Sequence, residues 1–305
     1  AEMNDLHARI RKLVEERNAV ILAHNYQVPE VQDVADMCGD SLELSMRAAR
    51  TEADVILFCG VRFMAETAAI LSPDKTVILA AERAGCPMAD MINEEDVRRR
   101  RADRPDLFVL SYVNTTAEVK AESDMCCTSA NAVQVVRSID PERRIFMTPD
   151  RNLAQYTIRC TGREMDYWDG YCIVHHRLTA DRVKAVKAEH PDGLFVAHPE
   201  CRPEVIDLAD AVHSTSGMIA LARESDHRKF IIGTETGLLY PLSKAAPDKE
   251  FVPADPGMVC KNMKKTGLPE VLSALERLSP VVSVAEEVRV RARRAVDRML
   301  AVPRE

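Results

Sequence analysis

The 305-residue sequence contains no CxxC pair, no run of the ~18 apolar residues that a membrane span needs, and no excess of basic over acidic residues. The first absence argues against structural zinc, which draws its ligands from short paired motifs. The second leaves no spanning segment. The charged start over residues 1–18 also lacks a signal-peptide core, so a soluble, cytoplasmic protein is expected. The third, a net charge of −7 from 41 basic and 48 acidic residues, disfavours nucleic acid or an anionic membrane as partner. An anionic substrate must then be captured by local groups. The nine cysteines are an odd number, and disulfides are not expected in such a chain. Metal-binding, catalytic or buried thiols are the options.

What the sequence does have is a threefold repeat with a period of about 85–90 residues. PEVQDVADMCGDS from Pro29, AEVKAESDMCCTS from Ala117 and PEVIDLADAVHST from Pro203 align without gaps. They superpose Glu30, Glu118 and Glu204, then Val31, Val119 and Val205, then Asp36, Asp124 and Asp210. Upstream, VILAHNYQ, FVLSYVNT and GLFVAHPE bring His24, Tyr112 and His198 to one position. Downstream, PDKTVILAAERAGC and PDKEFVPADPGMVC end at Cys86 and Cys260, and Cys172 falls two residues short of the same place in the second copy.

Within each copy, short β-branched runs alternate with amphipathic segments. In the first these are Val20–Ala23, Ala35–Cys38, Val55–Phe58 and Thr76–Leu79, with a helix starting at Ser41. Parallel strands need crossover connections, so the pattern predicts an α/β protein of three αβα domains, each with a parallel sheet of about four strands. The expected domains are 1–103, with an N-terminal helix, then 104–190 and 191–279. A closing helix over Ala285–Leu300, within 280–305, is expected to pack back on the body. Such units bind ligands at the carboxyl ends of their strands. There stand His24, Tyr112 and His198, then Ser41, Ser129 and Thr215, then Cys86, Cys172 and Cys260. A pseudo-threefold arrangement of the domains would aim all nine at one central cavity.

Free cysteine is usually a small buried hydrophobe, and Cys38, Cys59, Cys126, Cys127 and Cys160 are read that way. Cys201 is read as packing too, because no repeat partner carries a thiol there. Cys86, Cys172 and Cys260 differ, each standing in a Gly- or Pro-bearing loop (AGCPM, DGYCIV, PGMVCKN). Three thiolates from three domains suit a [4Fe–4S] cluster with one iron left open as a Lewis acid. His175 either contacts that neighbourhood or is an ordinary loop histidine.

Taken together, ILAHNYQVPEVQD, GDS, FMAET, YVNTTAE, TSANAV, DRNLAQY, HPEC and KNMKK resemble the motifs of the quinolinate synthase family, in order, from near residue 20 to near residue 265. The resemblance implies condensation of iminosuccinate with dihydroxyacetone phosphate, losing phosphate and water to give quinolinate in de novo NAD synthesis. It also implies a [4Fe–4S] cofactor on three cysteines and a functional link to an L-aspartate-oxidising enzyme that supplies the imine. One departure is the run YCIVHHR, with His176 and Arg177 where a different surround of the second cysteine is expected.

The resemblance implies roles for named residues. Tyr26, Glu200 and His198 become catalytic candidates, with Glu200 as the base. Ser41, Ser129 and Thr215, with Ser214 beside it, offer hydroxyls at helix starts to hold anions, although each alone is an ordinary N-cap. His24, His198, Tyr112, Asn114 and His175 complete the expected substrate contacts. Lys261, Lys264 and Lys265 read as a solvated helix start. Two alternatives stay open: another three-cysteine iron–sulfur hydro-lyase, or a non-catalytic α/β binder of small anions.

Overall fold

A computed structural model describes residues 2–304. Among them, twelve strands form three four-stranded sheets, each wholly parallel. The first holds β1 (Ala19–His24), β2 (Met37–Gly39), β3 (Val55–Cys59) and β4 (Thr76–Leu79), in the order β2-β1-β3-β4. The second repeats that order with β5 (Leu107–Tyr112), β6 (Met125–Cys127), β7 (Arg144–Thr148) and β8 (Asp166–Tyr167). The third does so with β9 (Leu194–Ala197), β10 (Ala211–Val212), β11 (Lys229–Gly233) and β12 (Glu250–Pro253). This is the α/β class expected from the repeat. In each sheet the chain reverses its direction of travel beside the first strand, which opens a crevice at that strand's carboxyl end.

The triplicated aspartates explain why the copies fold alike. Asp36, Asp124 and Asp210 each accept the backbone N–H of a first-strand residue, from Ile21 at 2.7 Å, Val109 at 2.8 Å and Phe195 at 2.8 Å. Each returns its own N–H to the same residue's carbonyl. The pair pins the second strand against the first in one register. Arg11, Arg101 and Lys187 in turn neutralise the three carboxylates. In the first copy this shifts the second strand from the expected Ala35–Cys38 to Met37–Gly39. Ala35 is spent as the C-cap of helix Pro29–Val34, and Asp36 on Ile21.

Val31, Val119 and Val205 are fully buried beneath their sheets. The helix Leu268–Arg277 packs its apolar face, Leu268, Val271 and Leu275, on the first sheet beside helix Glu2–Glu16. The closing helix Glu286–Leu300 lies between Arg62–Leu71 of the first repeat and Ala117–Ala121 of the second, burying Ala292, Ala295, Val296 and Met299. No helix among the described residues is long and apolar enough to cross a membrane.

Candidate functional site

A cavity of about 430 Å³ lies at the carboxyl ends of the three sheets. The first repeat lends its wall His24, Tyr26, Ser41 and Cys86; the second, Tyr112, Asn114, Ser129, Cys172 and His175; the third, His198, Glu200, Thr215 and Cys260. Every candidate catalytic, substrate-binding and cluster residue named from the sequence is thus brought to one space except Ser214. Its hydroxyl accepts the N–H of Gly217 as a helix N-cap and faces a separate pocket of about 50 Å³.

His24 and His198 are held identically. The backbone N–H two residues on, from Tyr26 and from Glu200, donates to Nδ1 at 3.1 Å in each case. A ring whose Nδ1 accepts carries its proton on Nε2. Burial then disfavours the imidazolium and holds both rings down to about 3. They are neutral donors with a fixed tautomer.

Glu200 is the hub of the wall. Its Oε2 lies 2.7 Å from Nδ1 of His175, and its Oε1 accepts from the Tyr112 hydroxyl at 2.5 Å. Burial alone would push this carboxyl up. His175 and His198 outweigh it, helped by the hydrogen bonds from His175 and Tyr112, and hold it well below the ordinary carboxylate value. The result is a buried anion on a wall shared with two neutral imidazoles. On the far side of His175, Nε2 meets the Thr234 hydroxyl at 2.7 Å, and that hydroxyl meets Tyr26 at 2.6 Å. Asn114 adds an orphan: among the described residues nothing donates to its buried Oδ1.

The hydroxyls differ in detail from N-caps. Asp40 and Ser214 take the cap positions of helices Ser41–Arg50 and Thr215–Glu224, so Ser41 and Thr215 fall one residue inside. Asn131, not Ser129, precedes helix Ala132–Ser138. Ser41, Ser129 and Thr215 are therefore not consumed by capping. Thr215 already accepts from Asn25 at 2.9 Å.

The three loop thiols meet the cavity from three sides. Burial raises all of them, Cys86 to about 12 and Cys172 and Cys260 above the ordinary thiol value, with the nearby Glu200 adding to the effect on Cys86 and Cys172. Cys59, Cys126, Cys127 and Cys201 are buried and Cys38 is partly so, as small hydrophobes should be. Cys160 is the exception: it is exposed, near the carboxyl end of helix Arg151–Thr161.

The family model described as Quinolinate synthetase A protein matches residues 8–301. The chain belongs to the quinolinate synthetase A family. It is 54% identical over 304 residues to the quinolinate synthase of Geobacter metallireducens, covering the whole of both chains. It is 56% identical over 299 residues to that of Desulforudis audaxviator, covering 98% of this chain and 99% of the relative. A match to the quinolinate synthase of Methanoregula boonei stands at 55% over 297 residues, covering 97% of this chain and 98% of that one.

Several supports of the site carried no signal in the sequence. Lys264 is only partly exposed. Its ammonium pairs with the buried Glu235 at 3.0 Å and donates to the carbonyl of Tyr26, tying the third repeat to the first. Gly237 makes room for it, since a Cβ there would lie 2.6 Å from both Lys264 Nζ and the Tyr26 oxygen. Lys120, fully buried, donates to the carbonyls of Val113 and Thr115, and so braces the loop that carries Tyr112 and Asn114. Gln32, at the matching place in the first repeat, braces Asn25 and Gln27 in the same way. His176, in the departure noted above, is engaged by Arg151 and Asn152, and Arg177 by Asp255.

Proposed function

We propose that the protein is a quinolinate synthase of NAD biosynthesis, condensing iminosuccinate with dihydroxyacetone phosphate and releasing phosphate and water. The observation that carries this is the meeting of Cys86, Cys172 and Cys260, one from each repeat, on a wall that also holds an ionised carboxylate and two neutral imidazole donors. A cytoplasmic setting belongs to the same reading and is supported by nine free thiols.

The donor set fits a [4Fe–4S] cluster held by Cys86, Cys172 and Cys260. Three protonated, half-buried thiols around one space are a poor stand-alone arrangement, and a polycationic centre is what would favour their thiolates. A mononuclear metal on Cys172, His175 and Glu200, whose ligand atoms lie within 4.8 Å of one another, fits less well. Their own hydrogen bonds already satisfy them, His175 Nδ1 standing 3.2 Å from the sulfur and 2.7 Å from the carboxylate. When bound, the cluster would supply a Lewis-acidic iron.

The chain's own residues do the rest. The Nε2–H groups of His24 and His198 donate to substrate carboxylate or carbonyl oxygens. Ser41, Ser129 and Thr215 offer hydroxyls to the phosphate and carboxylates, which a chain of net charge −7 could not gather by its overall field. Glu200 removes protons from carbon and returns them to departing oxygen. Tyr26 takes part in proton transfer at the opposite wall, and Tyr112 and His175 hold Glu200 in place. The test is anaerobic incubation of the reconstituted protein with both substrates, with quinolinate and inorganic phosphate measured together. Equal amounts of both support the reading. Phosphate without quinolinate, or neither product, overturns it.

A further inference from the structure

We infer that Thr234 is a positioning residue that bridges Tyr26 and His175 and so orients the Tyr26–His175–Glu200 wall. The inference rests on the reading of Tyr26 and Glu200 as proton-transfer groups. Thr234 follows β11 directly and is almost fully buried. Its counterparts at the ends of β3 and β7 are Gly60 and Pro149, so the repeat offers no hint of a hydroxyl there. Nor does it cap anything: Glu235 takes the N–H of Gly237 at the following turn.

The bridge is read from distances. The Thr234 hydroxyl lies 2.7 Å from Nε2 of His175 and 2.6 Å from the Tyr26 hydroxyl. The other ring nitrogen of His175 stands 2.7 Å from Oε2 of Glu200, whose Oε1 accepts from the Tyr112 hydroxyl. Tyr26 and His175 are themselves 3.4 Å apart, long for a hydrogen bond, so Thr234 is the short link between Tyr26 of the first repeat and the Glu200 wall. Without the hydroxyl, Tyr26 and His175 keep only that long contact, and His175 loses one of the partners that orient its ring toward Glu200.

Thr234→Val keeps the shape and deletes the hydroxyl; Thr234→Ser keeps the hydroxyl. In the cluster-loaded, full-length enzyme the Val variant should lose kcat roughly 10–100-fold, as misplacement of a reacting group does. Its KM for both substrates should stay within about twofold, and its iron content should be unchanged. The Ser variant should restore most of the lost rate. Independently of turnover, thermal unfolding of Thr234→Val, Tyr26→Phe and the double variant should be non-additive, the double falling less than the sum of the singles. Wild-type kcat in the Val variant, a Ser variant as slow as Val, or strict additivity in unfolding would each overturn the inference. Should the wild-type protein make no quinolinate, the functional reading falls, while the unfolding cycle still decides whether Thr234 bridges Tyr26.

Discussion

The Tyr112 hydroxyl of the second repeat donates to Glu200 of the third across 2.5 Å, and Glu200 reaches back to His175 of the second at 2.7 Å. One carboxylate is thus clamped from both sides by a neighbouring repeat. Its ionisation depends on how the repeats are assembled as well as on its own loop. Glu200→Gln should lower turnover ~10²–10⁴-fold, the range for a lost general base, with iron content unchanged. Tyr112→Phe removes one hydrogen bond to a charge, worth ~1.5–3 kcal/mol, and should cost roughly tenfold or more in kcat/KM. Steady-state kinetics on the two variants checks both. Normal turnover in Glu200→Gln would remove the carboxylate from the chemistry.

Adjacent residues at the start of helix Thr215–Glu224 separate stability from binding. Ser214 caps the helix, so Ser214→Ala should cost ~1 kcal/mol in unfolding with little change in kinetics. Thr215 faces the cavity and accepts from Asn25, which Ser216 also engages, so Thr215→Ala should cost less stability than Ser214→Ala and raise KM for the triose phosphate roughly tenfold. The opposite pattern would mean that the cap residue, not its neighbour, holds the anion.

The triplicated aspartates are structural. Asp124→Ala strands the N–H of Val109 and the guanidinium of Arg101, and should destabilise by ~1–3 kcal/mol. Denaturant unfolding reads this directly. The cluster content of whatever fraction remains folded should be normal.

Acid sensitivity follows from the two buried imidazoles. His24 and His198 are held to about 3 in the fold, against an ordinary 6.5. Between those values the unfolded chain binds a proton at each and the folded protein does not. Stability contributed by the neutral rings is therefore lost as pH falls through that window, at ~1.4 kcal/mol per pH unit for each ring. His24→Gln should flatten the pH dependence of unfolding between about pH 4 and 6 by that amount. An unchanged slope would mean that His24 is protonated in the native protein.

Legibility in the sequence followed the repeat. Whatever stood at the same place three times could be read without coordinates: the α/β class, the first-strand residues His24, Tyr112 and His198, and the three loop cysteines. Recurrence alone did not separate chemistry from architecture. Asp36, Asp124 and Asp210 are as regular as the cysteines, yet they spend themselves on backbone N–H groups. What broke the repeat stayed hidden. Thr234 stands against Gly60 and Pro149, Lys264 looked like a surface lysine, and Lys120 shares its role with Gln32 through a different side chain. Each acts through a partner far away in sequence, which spacing cannot reveal. Ser214 shows the same limit at close range, since one residue along a helix start exchanges a cavity wall for a cap.

The central claim is that one thiol from each repeat holds a single iron–sulfur centre. The decisive measurement is iron, sulfide and visible absorbance of the anaerobically purified protein, compared with Cys86→Ser, Cys172→Ser and Cys260→Ser and with Cys201→Ser as a buried control. The account predicts a brown wild type with about four irons per chain, bleached by each of the first three changes and untouched by the fourth. A protein that stays colourless after reconstitution, or keeps its iron through any of the three substitutions, would contradict it.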